Sequence, residues 1–242
     1  MFGFLTFLYY GTVLTTIITA TLFMLSVIHP IFGFVARLIV SYFALLTAAA
    51  YGVFVSVILR ITVGHGRLAQ WNTGRFFGFL MRWGVGVKFQ IEDPNNYLGT
   101  TRPAVFIGNH QTELDVLMLG CIFPRYCSVT AKKSLKRIPV LGWFMSLSGS
   151  IFIDRQNSSS ARNAMAGAAD DMNRYKQSVY MFPEGTRSYY KDPGLLPFKK
   201  GAFHLAVQAQ VPVVPVIVAN YSNILYLKTW TFRSGTIAVK GM

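Results

Sequence analysis

Ala104-Val105-Phe106-Ile107-Gly108-Asn109-His110-Gln111-Thr112-Glu113-Leu114-Asp115 is the stretch on which the reading of this chain turns. The apolar run at 104–107 reads as a buried strand, and the apolar run at 116–122 as the helix after it. His110 then falls at a strand-to-helix turn, with Asp115 in or near the first helical turn. A carboxylate one turn along can hold a histidine in one tautomer and make it more basic, which general-base catalysis needs. The competing reading is a turn whose polar residues merely cap the helix, with Thr112 as N-cap.

Around this stretch, short strands and helices alternate. Strands are predicted at 87–91, 104–107, 126–130, 150–153, 179–182, 213–218 and 236–240, and helices at 158–176 and 201–208. That alternation implies an α/β layered domain. Pro212 and Pro215 predict an edge or irregular strand at 213–218.

The chain before the domain is of another kind. Residues 2–28 carry no charge, and the run exceeds the ~20 residues a spanning helix requires. It lacks the basic leading region of a cleaved signal. His29-Pro30 interrupts it, and a second apolar run covers 38–59 before Arg60. The pair reads as a membrane helical hairpin, either crossing the bilayer or embedded in one leaflet. Arg60, Arg67, Arg75 and Arg82 follow, so the positive-inside rule places the domain in the cytosol. Between 61 and 87, aromatic residues alternate with these arginines. They suit an amphipathic helix at the membrane surface, or one packed on the domain. The expected organisation is 1–60, a membrane pair; 61–87, a connector; and 88–242, the α/β domain.

The 242 residues carry a net charge of +14, and no Asp, Glu, Lys or Arg precedes Arg37. A basic domain beside apolar segments points to anionic membrane surfaces or phosphorylated substrates. Nucleic acid is disfavoured: zinc-finger spacing, a basic helix and an aromatic-plus-basic RNA motif are all missing. Cys121 and Cys127 form no disulfide framework and no metal spacing, so reduced core thiols and no metal are expected.

Further polar clusters follow predicted strands. Phe182-Pro183-Glu184-Gly185-Thr186-Arg187-Ser188 offers a flexible Gly185, hydroxyls at Thr186 and Ser188, and Arg187 for bidentate grip of a phosphate. The plainer alternative is an ordinary loop with an internal Glu184–Arg187 pair. Ala131-Lys132-Lys133-Ser134 places lysines at a strand end. Gly149-Ser150-Ile151-Phe152-Ile153-Asp154-Arg155 is a strand ending in an acid–base pair. Phe198-Lys199-Lys200-Gly201 opens a helix, where amides favour anions. Val211-Pro212-Val213-Val214-Pro215-Val216 is a stiff apolar segment suited to lining an acyl groove.

In this order the clusters resemble the 1-acyl-sn-glycerol-3-phosphate (lysophosphatidic acid) acyltransferases, with the look of a eukaryotic, fungal member. Asn109-His110 with Asp115 matches the family's NHxxxxD block, and the clusters at 149–155, 182–188 and 211–216 match its second, third and fourth. The resemblance covers residues 60–242 and implies a layered αβα glycerophosphate-acyltransferase-like domain behind an N-terminal membrane hairpin. It implies transfer of an acyl chain from acyl-CoA, a co-substrate, to lysophosphatidic acid, with no bound cofactor and no metal. His110 would be the base and Asp115 its orienting acid. Glu184, Gly185, Thr186 and Arg187 would bind substrate, with Lys132, Asp154 and Arg155 assisting. Asn109, Gly149, Pro183, Lys199, Pro212 and Pro215 would support the motifs. Membrane lipids are the implied partners and the endoplasmic reticulum the implied site. Members usually continue past the last strand, so a fragment or a shortened product is expected. Other acceptors, a hydrolase and a non-catalytic membrane-shaping hairpin are the competing functions.

Overall fold

The computed structural model describes residues 2–242; Met1, the first residue of the expected membrane pair, lies outside them. The elements run α1 (Phe2–Leu25), α2 (Pro30–Val63), α3 (Ala69–Gly84), β1 (Val87–Glu92), α4 (Tyr97–Thr100), β2 (Val105–Gly108), α5 (Asp115–Ile122), β3 (Cys127–Lys132), α6 (Leu141–Leu147), β4 (Ile151–Ile153), α7 (Ser158–Tyr175), β5 (Ser178–Met181), α8 (Gly201–Ala209), β6 (Val213–Val218), β7 (Leu225–Tyr226), β8 (Thr231–Phe232) and β9 (Gly235–Gly241).

Seven strands form one sheet in the order β1-β9-β6-β2-β5-β3-β4. β6, β2, β5, β3 and β4 run parallel, whereas β9 is antiparallel to β6 and carries β1 beside it. The runs at β2 and β5 are buried throughout because both faces are covered, as parallel strands require. Phe106, Tyr180 and Val216 pack with α3 and α5; Val105, Ile107, Val179 and Met181 pack with α7 and α8. The domain is a three-layered αβα sandwich, as expected from the alternation of elements.

Two expectations are corrected. The β6 strand is internal, not an edge, and Val214 and Val216 are core residues rather than the lining of a groove. Its prolines are tolerated because of where they fall. The Pro215 carbonyl accepts from Met242 N–H on the β9 side. Its hydrogen-free nitrogen therefore faces the last rung of that ladder, and the bonds to β2 are untouched. Similarly, the second of the expected membrane helices starts at Pro30 rather than at residue 38. His29 caps it, accepting from Ile31 N–H at 3.2 Å, and proline suits the first turn of a helix. Arg37 interrupts the apolar run but not the helix, because its guanidinium donates to the Gly33 and Val85 carbonyls.

The α2 helix is docked on the domain. Phe34 meets the Trp230 ring edge-on, Tyr51 donates to Asn72 at 2.6 Å, and Arg60 donates to the Leu147 carbonyl at 2.8 Å. Gly52 lies against Phe144 and Thr73 with no room for a side chain. Beneath α2, α3 crosses α5 at Gly74 and Gly120; a Cβ on Gly120 would stand 2.6 Å from the Gly74 carbonyl oxygen. That contact is backbone and cannot swing aside. Gly120→Ala is expected to cost about 1–3 kcal/mol by forcing the helices apart. A thermal or denaturant melt reads this, and an unchanged midpoint would contradict the close crossing.

Candidate active site

The parallel strands deliver their following loops to one edge of the sheet, the edge at which α/β sheets bind ligands. The loop after β2 carries His110, and the first turn of α5 carries Asp115. His110 Nδ1 lies 2.7 Å from Asp115 Oδ2. Asp115 has no exposed surface, and its carboxylate also accepts from Gln111 N–H (2.6 Å), Thr112 N–H (3.2 Å) and the Tyr221 hydroxyl (2.7 Å). A carboxylate only accepts, so Nδ1 carries the hydrogen and Nε2 keeps its lone pair. The ring stacks on Phe182 at 4.0 Å and is 15% exposed. Such an imidazole is fixed in plane and open along one edge. Thr112 is not the N-cap that the competing reading made it. Its hydroxyl accepts from Leu114 N–H and donates to Tyr221, so it builds the turn rather than capping α5.

The loop after β5 meets this one. Glu184 is 3% exposed and bonds outward to neither solvent nor Arg187. Its Oε1 accepts from His110 N–H at 2.6 Å, and its Oε2 from Leu196 N–H at 2.8 Å. The Glu184–Arg187 pair of the plainer alternative is absent, and the carboxylate serves as a clamp between loops. Ser188 and Tyr189 N–H groups donate to the His110 and Gln111 carbonyls, completing the join. Gly185 turns the loop at φ +71°, a conformation glycine adopts without strain. Lys199 lies directly over Gly185, and its N–H donates to the Pro183 carbonyl. Thr186 is exposed, and Arg187 is half-buried. Burial works against the Arg187 charge, but Tyr189 and Glu113 outweigh it and raise the guanidinium pKa.

Other predicted residues fall elsewhere. Asn109 bonds both N–H and C=O of Val218 through its side-chain amide, extending the β2–β6 ladder by one rung. Lys132 is exposed at the carboxyl end of β3, on the site's edge of the sheet. Asp154 is at the matching end of β4, but its carboxylate is taken by Lys133 at 3.1 Å, whose hydrogen bond lowers its pKa, and by Gln156 N–H. Arg155 is exposed, and no described contact brings it or Asp154 to His110. Gly149 and Pro212 precede β4 and β6, at the opposite edge, where they shape strand entries. The sequence reading missed Tyr221, buried and 106 residues from Asp115 in the chain, as well as Glu113 and Tyr189 around Arg187. Tyr221 gave no local signal; Glu113 sat inside the first motif and was passed over. Among the described residues, no group of three or more His, Cys, Asp or Glu could hold a metal ion.

An oriented histidine beside a cationic loop, at the carboxyl edge of a parallel sheet, defines an α/β enzyme. A family model described as acyltransferase matches residues 88–219, which take in both loops. The 1-acyl-sn-glycerol-3-phosphate acyltransferase of Saccharomyces cerevisiae is 41% identical over 209 residues, covering 86% of this chain and 68% of that protein. Human 1-acyl-sn-glycerol-3-phosphate acyltransferase beta is 44% identical over 155 residues, 64% of this chain and 55% of that one. The crystal structure of the 1-acyl-sn-glycerophosphate (LPA) acyltransferase PlsC from Thermotoga maritima superposes with a TM-score of 0.63 at 19% identity, covering 95% of this chain and 85% of that one; it shows a shared fold. The chain belongs to the acyltransferase family.

Tyr221 is the site's clearest test. Burial, with Asp115 close by, holds its hydroxyl protonated by raising its pKa well above the usual phenol range. Tyr221→Phe leaves the shape but removes a donor to Asp115 and the acceptor for Thr112. It is expected to lower stability by about 1–3 kcal/mol and to reduce kcat without a matching rise in KM. A variant with wild-type melting and turnover would remove Tyr221 from the support of Asp115.

Proposed function

We propose that this chain transfers a fatty acyl group from acyl-CoA to the 2-hydroxyl of lysophosphatidic acid, forming phosphatidic acid for phospholipid and triacylglycerol synthesis. The observation that carries this reading is the His110–Asp115 pair at 2.7 Å, tied by backbone bonds to the loop bearing Arg187. The names of the yeast and human relatives support the acceptor. In the proposed reaction, Nε2 of His110 takes the proton from the acceptor hydroxyl as its oxygen attacks the thioester carbonyl. The carbon–sulfur bond then breaks, and the imidazolium returns the proton to the CoA thiolate. Acyl-oxygen bond formation and thioester loss balance, so no enzyme nucleophile is required. Arg187 holds the phosphate as a bidentate cation, with Lys199 and Lys132 adding charge. Glu184 acts through the loops it clamps.

The attachment to the membrane follows from α2. Its 34 residues pass the length and apolarity needed to cross a bilayer. Yet its contacts with the domain extend from Phe34 to Arg60, roughly 39 Å at the ~1.5 Å rise per residue of a helix. A full crossing would pull α3, with Gln70, Asn72 and two arginines, into the ~30 Å hydrocarbon layer. We therefore read α1 and α2 as lying in one leaflet, with Tyr42, Leu46, Phe54, Val57 and Ile61 of α2 turned to lipid. The endoplasmic reticulum, with the domain on the cytosolic face, is the proposed location.

Purified protein in liposomes with lysophosphatidic acid and oleoyl-CoA is expected to form phosphatidic acid. His110→Ala should lose about 10²–10⁴-fold in kcat while still folding, with a lowered melting midpoint because the buried Asp115 loses a donor. Retained activity would remove His110 from the mechanism, and free CoA appearing without acceptor would indicate a hydrolase. A Ser26→Cys protein in sealed vesicles should react with an impermeant thiol reagent from the domain's side; labelling from the far side alone would establish a crossing hairpin.

A further inference from the structure

The loop that supplies the base also supplies a carboxylate that proton transfer does not use. Glu113 follows His110 by three residues. Its Oε1 accepts from Arg187 Nη1 at 2.7 Å and from the Tyr189 hydroxyl at 2.7 Å, while Arg187 Nη1 also reaches the Tyr189 oxygen at 2.9 Å. Three side chains thus close a small ring on the very cation assigned to the substrate phosphate. Among the described residues, Nε and Nη2 of Arg187 have no hydrogen-bond partner in the protein. An internal anion therefore occupies one corner of an anion site and leaves the rest of the fork open.

We propose that Glu113 is a placeholder for the substrate phosphate: its carboxylate holds Arg187 while the site is empty, gives way to a phosphate monoester, and returns as the product leaves. The inference rests on the reading of Arg187 as the phosphate-binding residue.

Energetics favour exchange. The pair is open to water, with side chains 38% and 46% exposed, and such ion pairs contribute only about 0–1 kcal/mol. A phosphate dianion can take two guanidinium nitrogens at once, which a carboxylate bound through one oxygen to one nitrogen does not. Both anions cannot share the fork without like-charge repulsion, so arrival of one expels the other. Exchange also leaves the base undisturbed. Asp115 is anchored by the N–H groups of Gln111 and Thr112, not by the Glu113 side chain, which stands on the exposed side of the loop. Tyr189 is then free to donate its hydroxyl to the incoming phosphate instead of to Glu113. The empty site gains an ordered, charged arginine, and the loaded site loses its competitor.

The test is Glu113→Gln, which keeps the size and an acceptor oxygen but removes the charge. Its KM for lysophosphatidic acid, and its inhibition constant for inorganic phosphate, are expected to fall about 2- to 10-fold, with kcat unchanged or lowered by slower product release. A raised KM, or an inhibition constant that does not move, would overturn the placeholder and leave Glu113 as a positioning residue. Arg187→Gln and the double variant separate this from the underlying reading. If Arg187→Gln leaves the KM for lysophosphatidic acid unchanged, Arg187 does not bind the phosphate and both readings fall. If Arg187→Gln raises KM but Glu113→Gln lowers it equally with and without Arg187, the placeholder alone fails. The proposal expects the Glu113 effect to vanish in the double variant.

Discussion

Asp115 has no exposed surface, and a buried carboxylate without partners would cost several kcal/mol. Its two oxygens are met by two backbone N–H groups, the Tyr221 hydroxyl and the His110 ring. Each donor comes from a place the fold must supply. The N–H groups need the tight turn after β2, and the hydroxyl needs the chain beyond β6 to come back across the sheet edge. Breaking one donor leaves the charge short of compensation, so the whole turn is held by the requirement to satisfy it. The orientation of the proposed base follows from that requirement, since its Nδ1 completes the set.

A second buried carboxylate makes the site a unit. Glu184 takes one N–H from the base's own loop and one from residue 196, on the strap leading to α8. Together with the N–H groups of Ser188 and Tyr189, it fixes the loop carrying Arg187 against the loop carrying His110. Separation between the proposed base and the proposed anion grip matters because small errors in reactant placement weaken catalysis steeply. Here that separation is set by backbone hydrogen bonds, which move less than long side chains. Lys199, Lys132 and Arg187 are left with exposed ends to respond to a ligand.

The sequence made the layered fold and the strand-to-turn-to-helix setting of His110 legible, because both depend on local apolar runs and their punctuation. Residues 104–107 read as a covered strand, and one runs over Val105–Gly108. Local pattern failed where a property depends on a distant partner. Prolines suggested an edge for β6, but which nitrogen matters is decided by β9, which lies beyond it in the chain. Glu184 beside Arg187 suggested an ion pair, although each found its partner 74 residues away, in the first loop. Tyr221 was invisible for the same reason. Arg37 looked like a boundary because hydropathy counts a charge as exposed, whereas two carbonyls receive it.

The placement of α2 shows how sequence pattern can be read twice. Ala44, Ala48, Gly52 and Ser56 recur every four residues, and all are buried, so they form one stripe along the helix. Small residues let helix backbones approach closely, in lipid or in water. The stripe faces α3 and α6, and Leu46 and Phe54 between its members are exposed. A helix that spans lipid alone has no need of a stripe, and a helix buried in a soluble core has no need of an aromatic outer face. Both features together fit the proposed placement, with protein along one side of the helix and lipid along the other. The α3 helix on that protein side also packs on α5, which begins with Asp115.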